Sequence, residues 1–290
     1  MESNKQKKKK ISILILDNFK TERVHLNVES LQKQKCNYDV EIIVGDNSGN
    51  WKTNRRFDAL LKYPNVRVNY HDYNMGYSKG SNFDAKDATG DYIFIVNPDI
   101  NITEPDTLQK MTDYMEQNPD IAILGPKQII DSNGEIEMTV RAFPKLRIQI
   151  SRRTFLRHLP FIKEAVAFDE MRHLDYEKIQ NVDWLQSSFV IIRKDFWEKV
   201  GGFCEDFFLF MADPHICFQA WSDNQRVVYN PNIRVYADGI RHGAGGIIKF
   251  CKNWILRQHL VDAIKYQIKH FMKPNPRLVY EKKHKNLKKD

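Results

Sequence analysis

Asn97-Pro98-Asp99 sets two polar side chains one residue apart around a rigid centre, directly after the apolar run Tyr92-Ile93-Phe94-Ile95-Val96. Pro98 cannot donate to a sheet ladder and pushes Asn97 toward an extended backbone. A carboxylate fixed at such a point suits a hard divalent cation shared with phosphate oxygens. Taken alone, the three residues read first as a strand-ending turn, because Asn, Pro and Asp are ordinary turn formers. Two further polar endings carry the same ambiguity. Asp17-Asn18 closes the run Ile11 to Leu16, and Gly45-Asp46-Asn47-Ser48-Gly49 closes Val40 to Val44. A Gly- and Asx-rich loop is most often a turn; its functional reading is base or ribose recognition, with Asp46 accepting from a ring N–H. In Asn74-Met75-Gly76-Tyr77-Ser78-Lys79-Gly80-Ser81-Asn82 the P-loop spacing is absent. Its glycines either let a helix pack close to a sheet or let backbone N–H groups approach a diphosphate at the helix N-terminus.

These loops need strands and helices to hold them. Tyr92 to Val96 has the unbroken apolar character of a strand buried on both faces of a parallel sheet. Ile11 to Leu16, Thr21 to Gln34 (apolar at Val24, Leu26, Val28 and Leu31) and Val40 to Val44 form a strand, helix and strand. That is a right-handed βαβ unit, so the Asp17 and Asp46 endings share the sheet edge where ligands bind in open α/β folds. Arg55 to Tyr63 is expected to be helical and Val66 to Tyr70 a third strand. Glu104 to Gln117 is an amphipathic helix with Leu108, Met111 and Met115 on one face. Asp131 to Gly134 is a hairpin-type turn. From Arg141 to Lys178 no steady period holds, which suits a lid over a site or, more simply, a mobile surface loop. Val182 to Arg193 runs from a polar loop into a strand. Phe196 to Val200 is a short helix stopped by Gly201-Gly202, and Asp213-Pro214 reads as an N-cap followed by the first helical residue. Arg226 to Tyr236 divides into two short strands around Asn230-Pro231. A long helix from about Lys249 to Phe271 carries an apolar stripe (Phe250, Trp254, Val261, Ile264, Ile268, Phe271) and a basic side (Lys252, His259, Lys265, Lys269). Such a helix usually packs on its own domain, and lying on a membrane surface is the sharper alternative.

The 290 residues, 42% hydrophobic and 12% aromatic, are enough for a sizeable core and exclude global disorder. The net charge of +8 is concentrated partly in Lys7 to Lys10 and in the lysines from Lys282 to Lys289. Such runs are solvated tails that also suit anionic membranes or nucleic acid. Nucleic-acid binding is disfavoured, because the charge is terminal and no RRM, zinc-finger or helix-turn-helix pattern is present. Cys36, Cys204, Cys217 and Cys251 show neither CxxC spacing nor a disulfide framework, which fits a reducing compartment. No apolar run has the length of a membrane span, and Ile11 to Leu16 is too short for a signal peptide. The expectation is a cytoplasmic protein, with contact to the inner face of the plasma membrane as its peripheral variant.

In their order along the chain these segments resemble the family 2 glycosyltransferases of GT-A fold, and among them the rhamnosyltransferase-like members. The resemblance rests on the Asp17-Asn18 ending, Glu41 to Ser48, Asn74 to Asn82, Gly90 to Asp99, Val182-Asp183-Trp184, Val200 to Phe203, Phe207 to Asp213 and a late histidine, His242. It implies an α/β fold with a Rossmann-like, mostly parallel central sheet flanked by helices. The implied layout is a basic tail over 1–10, a catalytic domain over 11–246 and a C-terminal amphipathic helix with a basic tail over 247–290. Within the domain, a nucleotide-binding half covers about 11–130 and an acceptor half about 180–246. It turns Asn97-Pro98-Asp99 into a variant of the DxD motif, with Asp99 and His242 holding Mg²⁺ or Mn²⁺. Asp17, Asp46, Asn74, Gly76, Lys79, Asn82 and Asn97 are then assigned to the nucleotide sugar, Trp184 and Ser187 to the acceptor, and Asp213 to the general base of an inverting displacement.

The implied donor is a dTDP- or UDP-sugar, for which dTDP-rhamnose and UDP-hexose both stay open. The implied acceptor is a surface polysaccharide or lipid-linked glycan. The chain departs from the family pattern at Ala212, where Glu is usual, at Pro214-His215, where a second Asp is usual, and at Gln186-Ser187-Ser188, where a Ser-Gly pair is commoner. These departures fall on the acceptor side and keep a catalytically silent scaffold as a competing reading.

Overall fold

The computed structural model describes residues 8–145, 148, 151, 159–238 and 254–286. The chain opens with β1 (Lys10–Asp17), α1 (Thr21–Gln32) and β2 (Asp39–Asp46). Then come a short 3₁₀ turn at Asp58–Lys62, β3 (Val66–Tyr70), α2 (Gly76–Ala85) and β4 (Tyr92–Val96). The middle holds β5 (Ile100–Asn101), α3 (Thr107–Gln117), β6 (Ile121–Ile130), β7 (Ile136–Glu137), β8 (Val140–Arg141) and α4 (Pro160–Asp169). After β9 (Gln180–Asn181) and β10 (Trp184–Leu185) come β11 (Phe189–Arg193), α5 (Lys194–Val200), α6 (Ala212–Ser222) and β12 (Arg226–Ala237). Helices α7 (Trp254–Lys269) and α8 (Pro276–Asn286) end the described chain.

A single sheet in the order β3-β2-β1-β4-β11-β6-β12-β5 runs through both halves. From β3 to β4 it is parallel, as the unbroken apolar strands require. Strand β11 enters antiparallel between β4 and β6, while β6 and β12 are again parallel. The sheet is therefore mixed rather than mostly parallel. The side-chain period of two divides its residues between two cores. Ile11, Ile13, Ile15, Ile42 and Phe94 face Val24 and Val28 of α1 and Met111 and Met115 of α3. Leu14, Ile43, Ile93 and Ile95 face Ala85 of α2 and Ile216 and Trp221 of α6.

Several expectations change at the level of elements. Arg55 to Tyr63 yields only the 3₁₀ turn at Asp58–Lys62. Residues Arg226 to Ala237 form one strand instead of two, its register against β6 shifting between Asn230 and Arg234, where Pro231 cannot join the ladder. The helix expected over Lys249 to Phe271 is α7, and Pro274 and Pro276 separate it from a second helix, α8. Residues 249–253 lie outside the described chain. Of the expected stripe, Phe250 lies outside the described residues, Trp254 stands against Phe208, and Val261, Ile264, Ile268 and Phe271 are exposed; the buried residues of α7 are Leu256, Asp262, Ala263 and Tyr266.

Candidate functional site

The parallel half places the carboxyl ends of β1, β2 and β4 at one edge. Asp17 and Asp46 are register partners there, both fully buried. The buried Arg56 guanidinium bridges them, at 2.5 Å from Asp46 Oδ1 and 3.1 Å from Asp17 Oδ2. Burial pushes the Asp17 carboxyl upward; the Lys20 backbone N–H and the Arg56 charge oppose that shift. Asp46 Oδ2 is buried with no hydrogen-bond partner among the described residues. Phe19, at φ 64°, stands exposed with the Arg56 guanidinium 5.2 Å from its ring centre.

The next loop is held from beneath. Asn47 donates to Asn74 Oδ1 and to the Gly76 carbonyl, and its own Oδ1 accepts the Met75 N–H. Gly76 has φ 79°, and any Cβ there would strike the Phe208 carbonyl that accepts the Tyr77 N–H. Lys79 is exposed and reaches the Tyr73 hydroxyl at 3.1 Å. Asn82 spends both ends of its amide on the backbone of Phe203, at 2.7 and 2.9 Å, and so ties α2 to the loop after α5.

Around β4, the Asn97 N–H donates to the Ser188 carbonyl at 2.8 Å, which sets Asn97-Pro98-Asp99 against the loop before β11. Asp99 Oδ1 is buried without a hydrogen-bond partner among the described residues, and Oδ2 lies 3.9 Å from Lys20 Nζ. An orphaned carboxylate oxygen fits a cation shared with a diphosphate, which needs only one or two protein carboxylates. Among the described residues no three His, Cys, Asp or Glu side chains are grouped to hold a metal ion by themselves. His242 lies outside the described residues. It follows Asp238 by four positions, and the Asp238 N–H donates to the Asp99 carbonyl at 3.3 Å.

Asp213 faces this edge from the other half. It is not the N-cap: Met211, at φ 68°, precedes a helix that starts at Ala212, so Asp213 sits inside the first turn. Its carboxylate is thus free of capping and accepts the Ser187 hydroxyl at 2.5 Å. Ser187 Oγ has a single proton, so the Tyr77 hydroxyl, also 2.5 Å away, donates to it. Tyr77, Ser187 and Asp213 form a chain of hydrogen bonds from α2 through the loop before β11 to α6. Burial pushes the Asp213 carboxyl up to about 6, against the lowering effect of the Ser187 contacts. Burial also raises the Tyr77 phenol, and the charges of Asp213 and Asp99 both add to that shift. Trp184 is fixed by an Nε1–H bond to the Ala142 carbonyl at 2.7 Å.

Sequence reasoning did not single out Tyr77 or Arg56. Tyr77 stood inside a recognised segment, whereas a lone Arg in an irregular stretch carries no signal.

A mixed α/β sheet with its carboxylates gathered at one edge is the GT-A architecture. It is shared with the mannosyltransferase PcManGT from Pyrobaculum calidifontis, solved with GDP-Man and Mn²⁺ (TM-score 0.60, 15% identity, 95% of this chain and 70% of that one). It is shared too with TarS from S. aureus, solved with UDP (TM-score 0.52, 18% identity, 79% of this chain and 60% of that one). Residues 18–182, more than half of the chain, match the profile described as Glycosyl transferase family 2, and the chain belongs to that family. It is 26% identical over 207 residues to the N-acetylglucosaminyl-diphospho-decaprenol L-rhamnosyltransferase of Mycobacterium tuberculosis, a match spanning 68% of this chain and 66% of that protein.

Proposed function

We propose that this protein is an inverting, metal-dependent glycosyltransferase that moves a sugar from a nucleoside-diphosphate donor to a hydroxyl of a surface polysaccharide or lipid-linked glycan. The observation that carries this reading is the hydrogen-bond chain Tyr77–Ser187–Asp213, which the Asn97 N–H bond to the neighbouring Ser188 carbonyl sets beside the Asn97-Pro98-Asp99 turn. Asp46 receives the base, the glycine-bearing turn at Gly76 lies along the diphosphate, and Trp184 and Ser187 border the acceptor. Asp99, with its orphaned Oδ1, and His242 would hold Mg²⁺ or Mn²⁺, whose chemistry there is charge neutralisation of the diphosphate oxygens. Asp213 takes the acceptor hydroxyl proton while that oxygen forms its bond to the anomeric carbon. The carbon–oxygen bond to the diphosphate breaks on the opposite face and leaves its electron pair there. With a raised pKa of about 6, Asp213 is ionised at neutral pH and still basic enough to be useful.

L-rhamnose from dTDP-rhamnose is the donor favoured by the 26% identity to a rhamnosyltransferase; a UDP-hexose is the alternative. The described Cys36, Cys204 and Cys217 are free thiols, in keeping with a cytoplasmic site of action. A turnover screen with dTDP-rhamnose, UDP-glucose and UDP-galactose, with Mn²⁺ or with EDTA, tests this reading. Mn²⁺-dependent turnover of one donor, lost in Asp213→Asn and Asp99→Asn, is expected. Failure of every donor to bind or react refutes it.

A further inference from the structure

Val261, Ile264 and Ile268 of α7 and Phe271 just past it turn outward, whereas Trp254 at the start of the helix packs edge to face on Phe208. Ile268 is 72% exposed, and past the helix end Phe271 and Met272 are 76% and 87% exposed. Val261 and Ile264 continue the same ridge, and Leu278 and Val279 of α8 are exposed as well. This is not a loosely attached helix. The fully buried Asp262 accepts the backbone N–H groups of Phe208, Leu209 and Phe210 at 3.3, 3.0 and 2.9 Å. Tyr266 and Ala263 pack on Phe207 and Met211, and Gln267 donates to the Pro144 carbonyl at 2.7 Å. Asp183 binds Asn275 and Arg277 at 3.0 and 2.5 Å and so fixes the entry to α8. The inward face of α7 carries Leu256, Ala263 and Tyr266 around the buried Asp262, and a second apolar ridge is left outside.

Charge says what covers it. Between Trp254 and Asn286 there are eight Lys and Arg against two carboxylates. Of those two, Asp262 is buried and Glu281 pairs with Arg277. Lys269 pairs with Asp206 and Arg277 with Asp183, and the other six, Arg257, Lys265, Lys273, Lys282, Lys283 and Lys285, leave a net positive surface around the apolar ridge. A second copy of the chain would set like charges against each other, whereas anionic headgroups meet them with opposite charge while acyl chains receive the ridge.

We propose that α7 and α8 form a docking surface for an anionic lipid bilayer. The bolt through Asp262 joins that surface to the Phe208–Phe210 loop, and the Phe208 carbonyl in turn holds Tyr77. Docking would thus fix the Asp213 side of the cleft relative to the membrane. The surface does not depend on the catalytic reading, because it is read out by binding alone.

The test is co-sedimentation of the full chain with phosphatidylcholine vesicles, with and without about 30 mol% phosphatidylglycerol. Binding to the anionic vesicles is expected to be at least about tenfold tighter than to the neutral ones and to weaken with salt. Ile268→Asp with Phe271→Asp should lower it about tenfold or more at an unchanged melting temperature, since both side chains are exposed. The basic termini remain in that variant, so undiminished binding by it would assign the attraction to the tails and overturn the proposal. Absence of binding to anionic vesicles overturns it too. So does a lipid-free dimer in sedimentation velocity that the same two substitutions dissociate.

Discussion

Asp213 combines a depressed tendency to ionise with a fixed hydrogen-bond donor, and both are measurable. If Asp213 is the proposed base, its pKa of about 6 should set the acidic limb of the rate profile, with activity rising with pH through that value as the carboxylate forms. Replacing Ser187 with Ala removes a contact that lowers this pKa, so the limb should move to higher pH while Asp213→Asn costs about 10²–10⁴-fold in kcat. A pH–rate series on the three proteins checks both. The linkage has a stability counterpart. A carboxyl whose folded pKa is raised stabilises the protein below its unfolded value near 3.8, and that contribution is lost as pH rises through about 6. Asp213→Asn should therefore be more stable than the parent at pH 7.5, by on the order of 1–3 kcal/mol, and should lose that advantage at pH 4. Denaturant melts at the two pH values measure it. Arg56 is the other decisive residue. Arg56→Met strands Asp17 and Asp46 as neighbouring buried carboxylates, and a loss of about 3–5 kcal/mol in the same melts is expected.

Among the elements, the segment between α5 and α6 does the most to hold the candidate site together. Its Phe203 is clamped by Asn82, its Phe208 carbonyl holds the start of α2, and its next N–H groups converge on Asp262 of α7. Gly76→Ala should destabilise the protein and weaken donor binding together. The new methyl meets the Phe208 carbonyl, and φ 79° is strained for any L side chain. Asp262→Ala leaves three backbone donors without their acceptor and should cost about 3 kcal/mol or more, read as a lower denaturant midpoint. Helix α6 shows how little a local signal can fix. Asp-Pro was legible as a helix start, but one residue's difference in where the helix begins turns a capping carboxylate into one aimed at Ser187.

For the molecule as a whole, the residue just after α7 is joined to α6 by an uncharged histidine pair. His215 Nδ1 and His270 Nε2 are 2.8 Å apart; burial first, then neighbouring positive charge, lowers their pKa values to about 3 and about 4. Groups depressed in the folded state give stability that is present above the unfolded value of 6.5 and lost as pH falls below it. The protein should be about 2–4 kcal/mol less stable at pH 5 than at pH 7.5 from this source, and His270→Phe should flatten the trend. Comparison of the parent and the variant by thermal melts across that range isolates the pair from the opposite effect of Asp213.

Local chemistry determined much of the molecule in advance. The apolar run from Tyr92 to Val96, the 3.6-residue spacing of Leu108, Met111 and Met115, and the polar strand endings fixed the α/β class and the common edge of Asp17, Asp46 and Asp99. These are properties of period and of turn residues, and they need no distant partner. Only the tertiary structure brought Tyr77, Ser187 and Asp213 within reach of one another, put Arg56 between two carboxylates and turned the stripe of α7 outward. Each of those outcomes depends on which surfaces other segments have already occupied. A spacing along the chain shows that a helix has two faces, but the competition for buried area chooses the one that goes inside.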